Sequence, residues 1–148
     1  MNKEIRELHR TLVDLVGLMN RPQRDSALLH EAGVSLDRAL FPLLIVIEHK
    51  GPIGVVELSE LVGRDYTTVS RQVTKLGGLG LINRRPSKTD SRMRELSITA
   101  RGKNMTSAID AARERMATAL FAQWDKRDLQ ELARLMRRFA DDFQHLPS

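Results

Sequence analysis

Between residues 54 and 103 the apolar period changes from helical to alternating and back to helical, and few folds accommodate that order. Residues 54–62 read as a short helix expected to bury Val55, Leu58 and Leu61, and Gly63 with Arg64 leaves room only for a tight turn. Asp65 can then accept the free N–H groups of a second helix as its N-cap. At about 100° per residue, Val69, Val73 and Leu76 form one narrow stripe on that helix, with Tyr66 at its edge. Thr67, Arg71 and Thr74 lie opposite, flanked by Ser70 and Lys75. Gly77, Gly78 and Gly80 are expected to end the helix. Residues 81–85 and 93–98 then alternate as two strands, with Leu96 and Ile98 on one face and a polar turn over 86–91 between them.

The flanking segments are helical in period. Ile5, Leu8, Leu12, Leu15 and Met19 predict an amphipathic helix over 3–20, stopped at Asn20, Arg21 and Pro22. Residues 23–34 are weakly patterned and read as loop with at most a short helix. Ser35 can cap a buried helix reaching Lys50, although Pro42, which has no N–H to donate, demands a kink there or a later start. Thr99 caps a long helix marked by Met105, Ile109, Ala112, Met116 and Leu120 and expected to reach Trp124. Leu129, Leu132, Met136, Phe139 and Phe143 mark a last helix to about His145. The expected order is four helices, a hairpin and two helices.

Charge is concentrated where the period changes. Ten Lys and Arg face three Asp and Glu within residues 64–103, whereas the rest of the chain holds 14 basic against 16 acidic residues. All of the net +5 therefore sits in one segment, as a surface meeting nucleic acid requires, although a solvated charge-rich surface would give the same count. A hydroxyl- and arginine-bearing helix after a tight turn suits the major groove, where Arg can bond guanine bidentately and Thr can offer a hydrogen bond or a methyl contact to thymine. Thr67, Thr68, Ser70, Arg71, Thr74 and Lys75 are the candidates on the helix. Arg84, Lys88, Asp90, Arg92 and Arg94 are the candidates on the hairpin.

Other functions find little support. There is no cysteine, hence no disulfide, thiolate nucleophile or thiolate metal site. His9, His30, His49 and His145 lack ligand spacing, and no nucleophile elbow, P-loop or HExxH motif occurs. No enzyme, metal or cofactor is implied. The N-terminal segment is too charged for a signal peptide and the longest apolar run, 39–47, is too short for a membrane span, so a cytoplasmic protein with no membrane partner is expected.

The stretch VVELSELVGRDYTTVSRQVTKLGGLGLINRRPSKTDSRMRELSITARGK, residues 55–103, resembles the multiple antibiotic resistance regulator (MarR) family of transcription factors. Its most specific part is the pair Asp90 and Arg92 followed by Thr99 and Gly102, similar to the family's D-x-R wing and T-x-x-G helix start. The resemblance implies a mainly α fold with a small β-hairpin, in which a winged helix-turn-helix region over 35–103 is flanked by dimerisation helices over 1–34 and 104–148, all one MarR-like domain. It implies a homodimer that binds double-stranded DNA at a pseudo-palindromic operator, as a repressor released by a small aromatic or phenolic effector. Arg92 would reach the minor groove and Asp90 would orient the wing. Phe41, Met19 and Trp124 could line an effector crevice, but plain core is the commoner fate of such residues and no effector site is assigned. The sequence departs from the family pattern at Gly77 and Gly78, each weakening the helix end by ~1 kcal/mol relative to Ala, and at Ile98, where leucine is usual. A winged-helix protein-interaction module, or a non-specific nucleic-acid binder, is the alternative.

Overall fold

The computed structural model describes residues 2–90 and 92–147; Ser91, within the expected polar turn, lies outside the described residues. The element order is α1 (Lys3–Met19), α2 (Pro22–Ala32), α3 (Phe41–Lys50), α4 (Val55–Val62), α5 (Tyr66–Gly78), β1 (Ile82–Pro86), β2 (Arg94–Ile98), α6 (Ala100–Leu120) and α7 (Lys126–Gln144). The mainly helical architecture with one antiparallel hairpin is the fold class expected from the sequence. Two compact units divide the chain, Met1–Ala112 and Arg113–Ser148.

In the first unit, α3, α4, α5 and the hairpin enclose one core. Leu43, Leu44, Ile47, Leu58, Val69, Val73, Leu76, Leu81 and Leu96 are all buried there. The strands pair in the register Ile82 with Ile98 and Arg84 with Leu96. Ile53, just before α4, also pairs with Leu96: each N–H donates to the other's carbonyl, at 3.0 and 2.8 Å. This bridge fixes the start of α4 to the wing, and a single apolar residue between Pro52 and Gly54 carries no period from which to expect it.

Several expectations need correction. Residues 23–34 are mostly helical: α2 starts with Pro22 in its first turn and ends at Gly33 in the left-handed region, so the proline read as a breaker opens a helix. The order is thus five helices before the hairpin. Ser35 does not cap α3; the backbone turns at Asp37, whose carboxylate accepts the Ala39 N–H at 2.8 Å, and α3 begins at Phe41 with Pro42 in its first turn, the late start that Pro42 demanded. Leu61 is 53% exposed. Relative to Leu58, Val55 and Val62 lie about 40–60° to one side and Leu61 about 60° to the other, so the core takes the first pair.

α5 ends among the glycines, as expected. Gly77 and Gly78 lie within its last turn, and Gly80, with φ of 76°, makes the reversal. Thr99 then ties hairpin to helix: its hydroxyl donates to the Gly80 carbonyl at 2.7 Å and accepts the Gly102 N–H at 3.0 Å. Gly102 packs so closely that a Cβ there would overlap the Leu81 carbonyl oxygen and lie 2.7 Å from Ile98 Cγ1. That close approach is the physical reason for glycine at the end of T-x-x-G. α6 stops at Leu120 rather than near Trp124, giving way to a turn that Asp125 closes by capping α7.

α1 and α7 bury none of their residues. On α1 the stripe Ile5, Leu8, Leu12, Leu15, Met19 spans an arc of about 80°, and on α7 the stripe Leu129, Leu132, Met136, Phe139, Phe143 does the same. Among the described residues, no helix is long and apolar enough to cross a membrane.

Candidate nucleic-acid interface

Two caps set the orientation of α5. Gly63, with φ of 69°, reverses the chain after α4 at no steric cost. Asp65 follows in an extended conformation, and its carboxylate accepts the Thr68 N–H at 3.0 Å and the Thr68 hydroxyl at 2.6 Å. The Thr68 hydroxyl, then its N–H, hold the Asp65 carboxyl below its ordinary value, so a full negative charge sits at the helix start. With Val69, Val73 and Leu76 buried, the opposite side of α5 must face outward.

That side carries most of the expected set. Thr67, Arg71, Thr74 and Lys75 are exposed, and Ser70 is half-buried at the edge. The Thr74 hydroxyl donates to the Ser70 carbonyl at 3.1 Å, which leaves its oxygen as an acceptor and its methyl free. Thr68 differs from the rest, being half-buried with its hydroxyl engaged by Asp65. Tyr66, read from the sequence as an edge of the core stripe, is 55% exposed at the first turn of α5 and joins the surface.

The wing is organised by Asp90. Its carbonyl accepts the Met93 N–H at 2.9 Å, and its carboxylate accepts the Arg92 N–H at 3.0 Å and Arg92 Nε at 3.3 Å. The Arg92 side chain nevertheless stays 90% exposed. A loop-bracing ion pair and an outward-pointing guanidinium thus coexist. Ser87 adds a second brace, accepting the N–H groups of Thr89 and Asp90 on its hydroxyl at 3.2 and 3.4 Å. Lys88 is exposed at the tip. The register puts Arg84 and Arg94 on the same side of the hairpin as Leu96, with Arg84 directly across from Leu96 and Arg94 across from Pro86, and sets Arg85 across from Glu95 on the other side.

Between the wing and the first turn of α4 lies an open groove of about 660 Å³, with Tyr66 in its wall. Arg92 and Arg94 line it together with Glu57, Glu60 and Glu95, so it carries both signs of charge. Not every cation of the basic segment faces outward without a partner. Lys103 pairs with Glu48 on α3, and Arg64 donates to the Ala39 carbonyl at 2.7 Å and to Gln72 Oε1 at 3.0 Å. A charge count cannot detect such engagements. Arg71, Lys75, Arg84, Lys88 and Arg94 are exposed and hold no ion pair among the described residues.

Phe41 is buried in a small core with Leu28, Leu29, Ile109 and Ala112, while Met19 and Trp124 are exposed.

Comparisons with known proteins place the fold. The family model HVO_A0114 matches residues 36–95, which include the two helices, the turn and most of the hairpin. The uncharacterised HTH-type transcriptional regulator YxaD of Bacillus subtilis is 28% identical over 109 residues, covering 74% of this chain and 76% of that protein. A MarR family protein from Bacillus stearothermophilus superposes with a TM-score of 0.82 at 17% identity, over 97% of this chain and 99% of that one. RV1404 from Mycobacterium tuberculosis does so with a TM-score of 0.73 at 19% identity, over 100% of this chain and 99% of that one. The chain has the winged-helix fold of the MarR family transcriptional regulators.

Proposed function

We propose that this chain is a DNA-binding transcriptional regulator of the MarR family that reads a pseudo-palindromic operator as a homodimer. The observation that carries the reading is the outward side of α5, where Thr67, Arg71, Thr74 and Lys75 stand exposed next to a wing whose Arg92 is 90% exposed on a braced turn. A helix with that surface fits the major groove, and the cationic wing tip fits a neighbouring minor groove or its phosphates. The homodimer is supported by α1 and α7, whose stripes recur at alternating intervals of three and four residues and are left uncovered by the chain. That spacing is the seam of helices packing side by side, and leaving two such seams in water is costly. Half-sites read by two copies should lie about 10 base pairs apart, and a dimer over that span would repress by occluding a promoter.

The test is a titration of labelled duplexes by fluorescence anisotropy, with selected and random sequences at several salt concentrations. Arg71→Ala should lose about 1–3 kcal/mol on the selected duplex and little on the random one. Arg92→Ala should weaken both and lower the salt slope by about 0.9, one phosphate contact. Unchanged affinity and selectivity for Arg71→Ala would remove that residue from the reading.

A further inference from the structure

Arg64 sits in the turn of the helix-turn-helix and counts among the ten cations of the basic segment, so its default role would be a phosphate contact. Its geometry points elsewhere. Both hydrogens of Nη1 are engaged, one by the Ala39 carbonyl at 2.7 Å and one by Gln72 Oε1 at 3.0 Å. These acceptors belong to different elements: Ala39 precedes α3, and Gln72 is on α5. At about 100° per residue, Gln72 lies about 140° around α5 from Thr67, on the side of Leu76 and away from the outward surface. Arg64 is half-buried, and the residue after Ala39, Leu40, is buried in the same core as Val69 and Val73.

We infer that Arg64 is a positioning residue, a guanidinium clamp that fixes the rotation and tilt of α5 against the segment preceding α3, and not a DNA contact. The inference rests on the reading of α5 as the recognition helix. Apolar contacts of Val69, Val73 and Leu76 hold α5 to the core but are non-directional. Two charge-assisted hydrogen bonds from one nitrogen supply a directional constraint that apolar packing lacks. Base recognition is sensitive to small rotations of the reading helix, whereas phosphate attraction is not. The clamp therefore serves selectivity more than affinity.

The experiment compares the full-length protein with Arg64→Ala, Arg64→Lys, Gln72→Ala and the Arg64→Ala/Gln72→Ala double variant, each first checked for folding by circular dichroism. Selected and random duplexes are titrated across a salt series. Arg64→Ala should lower the selected-over-random ratio by roughly ten-fold, the scale of one mismatched base pair, with salt slope and random-duplex affinity unchanged. Gln72→Ala should shift the ratio in the same direction, the double variant should be no worse than Arg64→Ala, and Arg64→Lys should fail to restore the ratio because the lysine side chain is one atom shorter and its flexible ammonium falls short of the Nη1 position that meets both acceptors. A salt slope lower by about 0.9 with equal losses on both duplexes, rescue by lysine, or a silent Gln72→Ala would overturn the clamp. If the wild-type protein binds DNA without selectivity, the functional reading fails instead. Amide chemical shifts without DNA then decide the clamp alone. Arg64→Ala should move signals both near Ala39 and along Gln72 to Leu76, and a change confined to the immediate neighbours of Arg64 would overturn it.

Discussion

Replacing Gly102 by alanine adds one methyl group at the most crowded point of the wing. The new Cβ would overlap the Leu81 carbonyl oxygen, with Ile98 Cγ1 at 2.7 Å and the Leu81 carbonyl carbon at 3.1 Å. Because the first obstacle is backbone, rotamer changes cannot relieve it, and α6 must move away from the start of β1. Overpacking of this kind costs about 1–3 kcal/mol. The same displacement strains the bonds from Thr99 N–H to Leu81 and from the Thr99 hydroxyl to Gly80, at 3.1 and 2.7 Å, and each contributes about 1 kcal/mol. Alanine's better helix propensity returns about 1 kcal/mol, so the net loss should be roughly 2–4 kcal/mol. For a chain of this size that lowers Tm by about 5–15 °C. Urea titration followed by circular dichroism measures it. A Gly102→Ala protein within about 0.5 kcal/mol of wild type, the range of an unremarkable surface change, would refute the close-approach account of T-x-x-G.

The same substitution should have the opposite sign at Gly77 and Gly78, where a Cβ would meet nothing within 4 Å; each change should raise stability by up to about 1 kcal/mol, read in the same urea titration. Glu48 is held below its ordinary 4.5, first by the Lys103 hydrogen bond and then by the charges of Lys103 and His49, against a desolvation that raises it. Its contribution is therefore present above the unfolded value and is lost as pH falls through the lowered folded value. Urea midpoints of wild type and Glu48→Gln should differ at neutral pH and converge in acid, and a constant gap down to the acid limit would contradict the pairing. Leu132→Glu places a charge in the α7 stripe and should shift the protein toward monomer in sedimentation equilibrium, while an unchanged mass would argue against that stripe as a dimer seam.

Much of this was legible because the signals are local. Val69, Val73 and Leu76 recur at helical spacing and are buried together, so the outward set on α5 followed from period alone. Asp65 and Thr99 cap as their positions suggested. α2 was missed because its two buried residues, Leu28 and Leu29, are adjacent and trace no stripe, although Pro22 and Gly33 bracket it in the order a helix prefers. Leu61 was misplaced because a helix of 8 residues cannot reveal which of several close apolar positions the core will take. Long-range partners leave no trace in spacing. Arg64 with Ala39 and Gln72, Lys103 with Glu48, Ile53 with Leu96, and the contact that excludes a side chain at Gly102 all depend on how distant segments meet.

The central claim is sequence-selective recognition of duplex DNA by α5 and the wing, and selection of bound sequences from a random duplex library tests it most directly. The account predicts a recovered inverted repeat with half-site centres about 10 base pairs apart, bound at least about 10³-fold more tightly than random duplex at physiological salt. Recovery of no common sequence, with binding that only tracks salt concentration, would contradict it.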